Sequence, residues 1–148
     1  MDEADLQVFI EGTTHYFNQS SSSQAELGTP YLTDDNKNAA MEFTGIIGVS
    51  GRRKGSVFFS ARQELLDELL SSMGETEQTE ENRCDLVGEV ANTISGNARR
   101  EFGSDFMISV PVVVAGKPDG IKNPPEMRSY VIPIAWKTHE ASLVICLE

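Results

Sequence analysis

Asp85, Glu89 and Asn92 are the residues of this 148-residue sequence whose types and spacing point to chemistry. Read as a helix at about 100° per residue, the segment from Asp85 to Ala98 puts Val87, Val90, Ala91, Ile94 and Ala98 on one side. Asp85, Glu89, Asn92 and Gly96 fall in a narrow arc on the other. Glu89 and Asn92 are three apart, so a carboxylate and a carboxamide stand side by side on a rigid element and reach the same object. A polar pair opposite an apolar stripe is also what any surface helix shows. Two choices argue for more than that: Asn is a poor mid-helix residue, and Gly88 and Gly96 are poorer, each costing up to about 1 kcal/mol relative to Ala. Small residues along the outer face also let another protein's backbone come close. The grouping predicts a contact surface, with Asp85, Gly88 and Gly96 as partner-binding positions around Glu89 and Asn92.

Other chemistry has less support. His15 and His139 have no Cys or His neighbours at metal-ligand spacing, so no metal site is expected. No GxSxG surrounds a serine and no GxxxxGK[ST] is present, which leaves a hydrolase nucleophile and a nucleotide phosphate loop unsupported. The turn Ser50-Gly51-Arg52-Arg53-Lys54 carries three close positive charges that suit either an anion or plain solvation. Cys84 precedes the outer face, where a small buried hydrophobe is its commoner role, and Trp136 reads as core or interface.

The elements that position the outer face follow from periodicity. Leu6, Phe9, Ile10, Thr13, Tyr16 and Phe17 recur at helical spacing and predict an N-terminal helix over Asp5 to Phe17. A polar stretch from Ser20 to about Asn38 reads as loop, with room for a short strand at Tyr31-Leu32. Met41 to Val49 and Gly55 to Ala61 form a β-hairpin pattern. Leu65, Leu66, Leu69 and Leu70 mark a helix from Arg62 to Met73, stopped at Gly74. A second helix starts near Thr79, a side-chain cap, and runs to Glu101 or Phe102. Strands follow at Phe106 to Ser109 and Val110 to Ala115, then a Gly-Pro-rich loop from Gly116 to Pro125. A final hairpin covers Ser129 to Lys137 and Ala141 to Leu147, turning at Thr138-His139-Glu140. These elements predict an α+β fold with a largely antiparallel sheet, an N-terminal helix and a pair of central helices, all in one domain over residues 1–148.

Composition narrows the setting. Twelve basic residues against 23 acidic give a net charge of −11, which repels a phosphate backbone and disfavours nucleic acid and anionic membrane as partners. Nine of the acids (Glu64, Asp67, Glu68, Glu75, Glu77, Glu80, Glu81, Asp85, Glu89) stand between Glu64 and Glu89 with one base, Arg83. The acidity therefore belongs mostly to the two central helices. Two distant cysteines, no leader-like start and no long apolar run suit a reducing cytoplasm and exclude a membrane-spanning helix.

Asp85-x-x-x-Glu89-x-x-Asn92, followed by Ile94-Ser95-Gly96-Asn97-Ala98 and later by Ile108-Ser109-Val110-Pro111 and Gly116, resembles the CheC, CheX and FliY phosphatases of bacterial chemotaxis. The CheX-like branch is the nearest, with elements in the same order over most of the chain. The resemblance implies a CheC-like fold and hydrolysis of the phosphoaspartate on CheY or a similar receiver. It implies that Glu89 pairs with the receiver's active-site lysine and that Asn92 orients the attacking water. Such a role suits a carboxamide, which positions water without adding negative charge beside a phosphoryl group. It also implies that no cofactor of its own is needed, since Mg2+ belongs to the receiver. Glu89-x-x-Asn92 is the sole ExxN in the sequence, as in a one-site protein. A non-catalytic receiver-binding adaptor or flagellar-switch-type module is the alternative. CheX-like proteins resemble dimers joined through sheet edges, and Ser142 to Leu147 is apolar and poor in the charges that blunt an edge, so a homodimer is expected.

Overall fold

A computed structural model describes residues 1–21, 23–34, 39–116 and 128–148. Helix α1 (Glu3–Ser20) starts where Asp2 caps it: the Asp2 carboxylate accepts from the Asp5 N–H at 2.9 Å, and Asp5 accepts from the Asp2 N–H at 3.2 Å. That exchange satisfies two donors that a helix start leaves unpaired. Phe9, Gly12, Thr13, Tyr16 and Phe17 form its buried stripe.

Eight strands and two further helices follow: β1 (Ala25–Leu27), β2 (Tyr31–Thr33), β3 (Phe43–Gly51), β4 (Gly55–Ala61), α2 (Gln63–Ser72), α3 (Glu80–Phe102), β5 (Phe106–Ile108), β6 (Val112–Ala115), β7 (Ser129–Trp136) and β8 (His139–Leu147). The strands make one antiparallel sheet in the order β1-β7-β8-β4-β3-β5, with β2 also on β7 and β6 also on β3. The expected α+β class and largely antiparallel sheet are those of the structure.

Several boundaries differ from expectation. β1 lies where the sequence reads as loop, because three residues are too short a run for alternation to show. The first strand of the early hairpin runs two residues further than expected, to Gly51, which leaves Arg52-Arg53-Lys54 as the turn. The last turns at Lys137-Thr138, with Lys137 in the left-handed region at φ 56°; a glycine-free two-residue turn carries no composition signal. Ser109 to Pro111 belong to no strand. The expected loop at Gly116 to Pro125 lies, beyond Gly116, outside the described residues. β8 is flanked by β7 and β4 on both sides, so the apolar run Ser142 to Leu147 is interior strand and not a sheet edge. The described edges belong to β1 and β2 on one side and to β5 and β6 on the other.

Alternation sorts the sheet's two faces. Phe59, Ile47, Leu143, Ile145, Ile132, Ile134 and Trp136 pack with Phe9, Phe17, Leu65, Leu69, Val87, Val90 and Ile94 from the helices in the principal core. Phe58, Val131 and Val144 point the other way and are buried with Ala39. Trp136 is core, its Nε1–H donating to Ser21 Oγ and to the Ser23 carbonyl, each at 3.1 Å. Within the basic turn Arg53 is structural, pairing with Asp5 at 2.6 Å and lying 5.3 Å from the Phe102 ring centroid, while Arg52 and Lys54 are exposed. Helix α3 crosses β3 in backbone contact. A Cβ at Gly45 would come within 2.5 Å of the Val87 carbonyl oxygen and 3.1 Å of Gly88 Cα, a separation that a side chain would forbid.

Candidate functional site

The 23-residue helix α3 carries the site. Thr79 Oγ1 accepts the Asn82 N–H at 3.1 Å, Glu80 and Glu81 occupy the first turn, and Arg99 and Arg100 the last, all in the sense that complements the helix dipole. Its N-terminal half is bound to α2 by a two-pronged ion pair, Arg83 Nε and Nη2 to Asp67 at 2.6 and 3.2 Å. The Asp67 hydrogen bonds push the guanidinium pKa up. The connecting residues are tied in as well: Gln78 donates to Ser71 Oγ at 2.6 Å, and Asn82 Nδ2 donates to the Glu77 carbonyl at 2.8 Å. Further along, α1 packs on the C-terminal half, with Phe9 and Phe102 ring centroids 5.9 Å apart.

On this braced helix Asp85, Glu89 and Asn92 are exposed, while Val87, Val90, Ala91, Ile94 and Ala98 are buried. Among the described residues no hydrogen bond or ion pair engages the side chains of Asp85, Glu89 or Asn92, leaving their polar atoms free for a partner. Gly96 shares the exposed arc, with nothing within 4 Å of the position of a Cβ. Gly88 does not. It is buried, and its Cβ position lies 3.0 Å from Val113 Cγ2 and 3.6 Å from Pro111 Cβ. Gly88 is therefore a packing position, where β6 and Pro111 close over the flank of α3, and the expected partner contact there is corrected.

The structure adds surroundings that sequence reasoning missed. An open groove of about 290 Å³ separates α3 from the end of α2, lined by Leu70, Met73, Gly74, Asn82, Asp85 and Glu89 among others. Met73 stands 47% exposed beside it. Tyr16 is buried nearby; its hydroxyl forms no hydrogen bond of proper geometry. Burial pushes its pKa up to about 12, nearby Ser20 offsets this in part, and the Glu89 charge adds to it. Burial likewise pushes the half-buried Cys84 thiol up, with Glu80 and Asp85 adding to the shift, which opposes thiolate reactivity. Among the described residues no group of three or more His, Cys, Asp or Glu side chains could hold a metal ion, and no helix is long and apolar enough to cross a membrane.

Chemically, this face offers a free carboxylate for a partner's cation and, one turn along, a carboxamide with both donor and acceptor atoms. Glu75, Glu77, Glu80 and Glu81 are exposed nearby and make it strongly negative. A helix-backed antiparallel sheet presenting such a face is the CheC-like fold. A CheC-like superfamily protein from Shewanella sp. PV-4 superposes with a TM-score of 0.88 at 27% identity over 100% of this chain and 99% of that one. CheX from Desulfovibrio desulfuricans gives 0.85 at 26% identity over 98% and 99%. The Borrelia burgdorferi CheX of a CheX-CheY-BeF3-Mg2+ complex gives 0.78 at 18% identity over 97% of each chain. No curated protein matches this sequence. The family model of the chemotaxis phosphatase CheX matches residues 43–135, more than half of the chain, and the chain belongs to that family.

Proposed function

We propose that this protein hydrolyses the phosphoaspartate of a CheY-like receiver domain, with Asn92 orienting the attacking water and Glu89 pairing with the receiver's active-site lysine. The observation that carries this is the exposed, unengaged Glu89 and Asn92 pair at the middle of a rigid helix in a chain of the CheX phosphatase family. The solved complex of a structural relative with CheY, BeF3 and Mg2+ supports a receiver as partner, and on this reading the receiver brings the Mg2+. Phosphoryl transfer asks for positioning and charge stabilisation more than for covalent chemistry. Asn92 serves that need: its amide can hold water for in-line attack without placing a second anion beside the phosphoryl group. Glu89, exposed on a negative surface, supplies the charge that a lysine seeks.

Mixing the protein with phosphorylated receiver and Mg2+ while following phosphate release tests the reading. Release is expected to be faster than the receiver's own decay. No acceleration, with binding retained, would leave the non-catalytic adaptor. We also propose a cytoplasmic homodimer joined at the β1/β2 edge, where Tyr31 and Leu32 are 48% and 46% exposed. A monomer mass by light scattering at micromolar concentration would count against it.

A further inference from the structure

Helix α2 ends beside Glu89 with its apolar side uncovered. The Gly74 N–H donates to the Ser71 carbonyl at 3.1 Å and the Glu75 N–H to the Leu70 carbonyl at 2.9 Å, with Gly74 in the left-handed region at φ 86°. These are the two bonds of a Schellman cap, in which the residue after the glycine is commonly apolar and folds back over the position that Leu70 holds here. Glu75 stands there instead, and a carboxylate keeps to water and does not close over a leucine. The consequence is the open groove of about 290 Å³ between α2 and α3, with Leu70, Met73 and Leu86 as its apolar walls and Glu75, Asp85 and Glu89 as its acidic ones. Among the described residues that line it there is no lysine or arginine. The groove is held open in advance: Arg83 on α3 pairs with Asp67 on α2 at 2.6 Å, and Gln78 Nε2 donates to the Asp67 carbonyl at 3.3 Å and to Ser71 Oγ at 2.6 Å.

Two observations set the occupant. Glu89 is itself a wall of the groove, so a receiver that pairs a lysine with Glu89 covers the groove as it docks. The mixture of apolar and acidic walls then selects the side chain. Lysine and arginine lay a hydrocarbon stem along apolar surface and keep the charged head at a polar rim, whereas an apolar side chain would press against three carboxylates without a counter-charge. A second copy of this chain is a poorer match, because a net charge of −11 on each sets like against like. We infer that the α2–α3 groove receives a second basic side chain of the receiver, beside the lysine paired with Glu89, its stem against Met73 and Leu70 and its charge toward Glu75 and Asp85. The inference rests on the proposed function and deepens it, since it makes the groove a determinant of which receivers are bound: a receiver with a neutral or acidic residue at that place is disfavoured.

Met73→Ala and Glu75→Gln test it, with Met73→Leu as the variant that keeps the apolar bulk. Both positions are exposed, and glutamine retains the acceptor that Glu75 offers the Glu77 N–H at 3.1 Å, so folding is expected to hold. The readouts are binding to a CheY receiver from the same genome loaded with BeF3 and Mg2+, at low ionic strength and at 0.15 M, together with steady-state phosphate release and mass by light scattering. Met73→Ala and Glu75→Gln are each expected to raise Kd and KM about tenfold, the scale of a contact buried in an interface, with kcat within about twofold and Met73→Leu near the parent. Glu75→Gln is also expected to flatten the salt dependence of Kd, which Met73→Ala leaves in place. A Kd within about twofold of the parent in either variant overturns the inference; if only Glu75→Gln is unchanged, the groove takes an apolar side chain instead. A change of oligomeric mass overturns it as well, since that would assign the groove to a second copy. If both variants weaken binding as expected but the parent protein does not accelerate phosphate release, the phosphatase reading fails while the groove contact stands. Absence of receiver binding by the parent overturns both.

Discussion

Asn92→Ala separates chemistry from folding because the two effects have opposite signs. Asn92 is exposed, in the interior of α3, and its side chain makes no hydrogen bond among the described residues. Alanine therefore removes nothing from the fold and gains helix propensity, about 0.5 kcal/mol, equivalent to a rise of about 1 to 2 °C in Tm for a chain of this length. Catalysis is expected to move the other way. Loss of a pre-positioned polar group that acts on the transition state costs about 100- to 1,000-fold in rate, while affinity for the receiver is expected to persist through Glu89. The assay pairs a thermal melt with phosphate release from phosphorylated receiver under saturating conditions. Turnover within about threefold of the parent would refute water positioning by Asn92. Lost turnover together with a lowered melting temperature would show that the residue supports the fold, and the reasoning from its exposure would fail.

Glu89→Ala is expected to weaken receiver binding as well as hydrolysis, and to flatten the salt dependence of KM between low ionic strength and 0.15 M, where the Debye length falls to about 8 Å; an unchanged salt slope would count against the lysine pairing. Gly45→Ala places a methyl 2.5 Å from the Val87 carbonyl oxygen, a backbone atom that cannot rotate away, so a loss of about 3 kcal/mol is expected in urea titration. A loss under about 1 kcal/mol would mean that α3 lifts readily from β3. Tyr16, pushed up to about 12 from 10.0, stays protonated in the folded chain between these values while the unfolded chain ionises. Its contribution to stability is complete below pH 10 and is lost as pH rises toward 12, about 1.4 kcal/mol by pH 11. Tyr16→Phe is expected to lack that share of the alkaline loss, read from urea midpoints at pH 8 and pH 11.

Local signals made the helices and the outward Glu89 and Asn92 pair legible in the sequence. The 3.6-residue period from Val87 to Ala98 placed Glu89 and Asn92 outward, and Thr79 marked the start of α3 because a cap is a chemical choice made within one turn. What escaped was long-range. Gly88 is only about 40° from Asn92 around the helix, and what buries it is β6, a strand more than twenty residues away that no periodicity in α3 can announce. The charge-poor run Ser142 to Leu147 reads as an unblunted edge, yet residues 141 to 147 are all buried, the mark of a strand with neighbours on both sides. β1 and β2 gave little or no signal because three-residue strands borrow their order from β7. The groove beside Met73 arises where separate elements meet, so no single stretch of sequence encodes it.

The bracing of α3 has a consequence for motion. Asp67 holds its start, β3 and β6 its centre, and α1 its C-terminal half, over a length of about 34 Å. A helix pinned along its whole span has no hinge, so Glu89 and Asn92 keep their spacing whether or not a partner is present. Amides from Leu86 to Ala98 should then exchange with solvent only when the whole domain opens. Recognition of this kind costs little conformational entropy on the side of this chain. Rearrangement as a complex forms is then expected outside α3, and discrimination between partners is expected to rest on the fixed side chains around the pair.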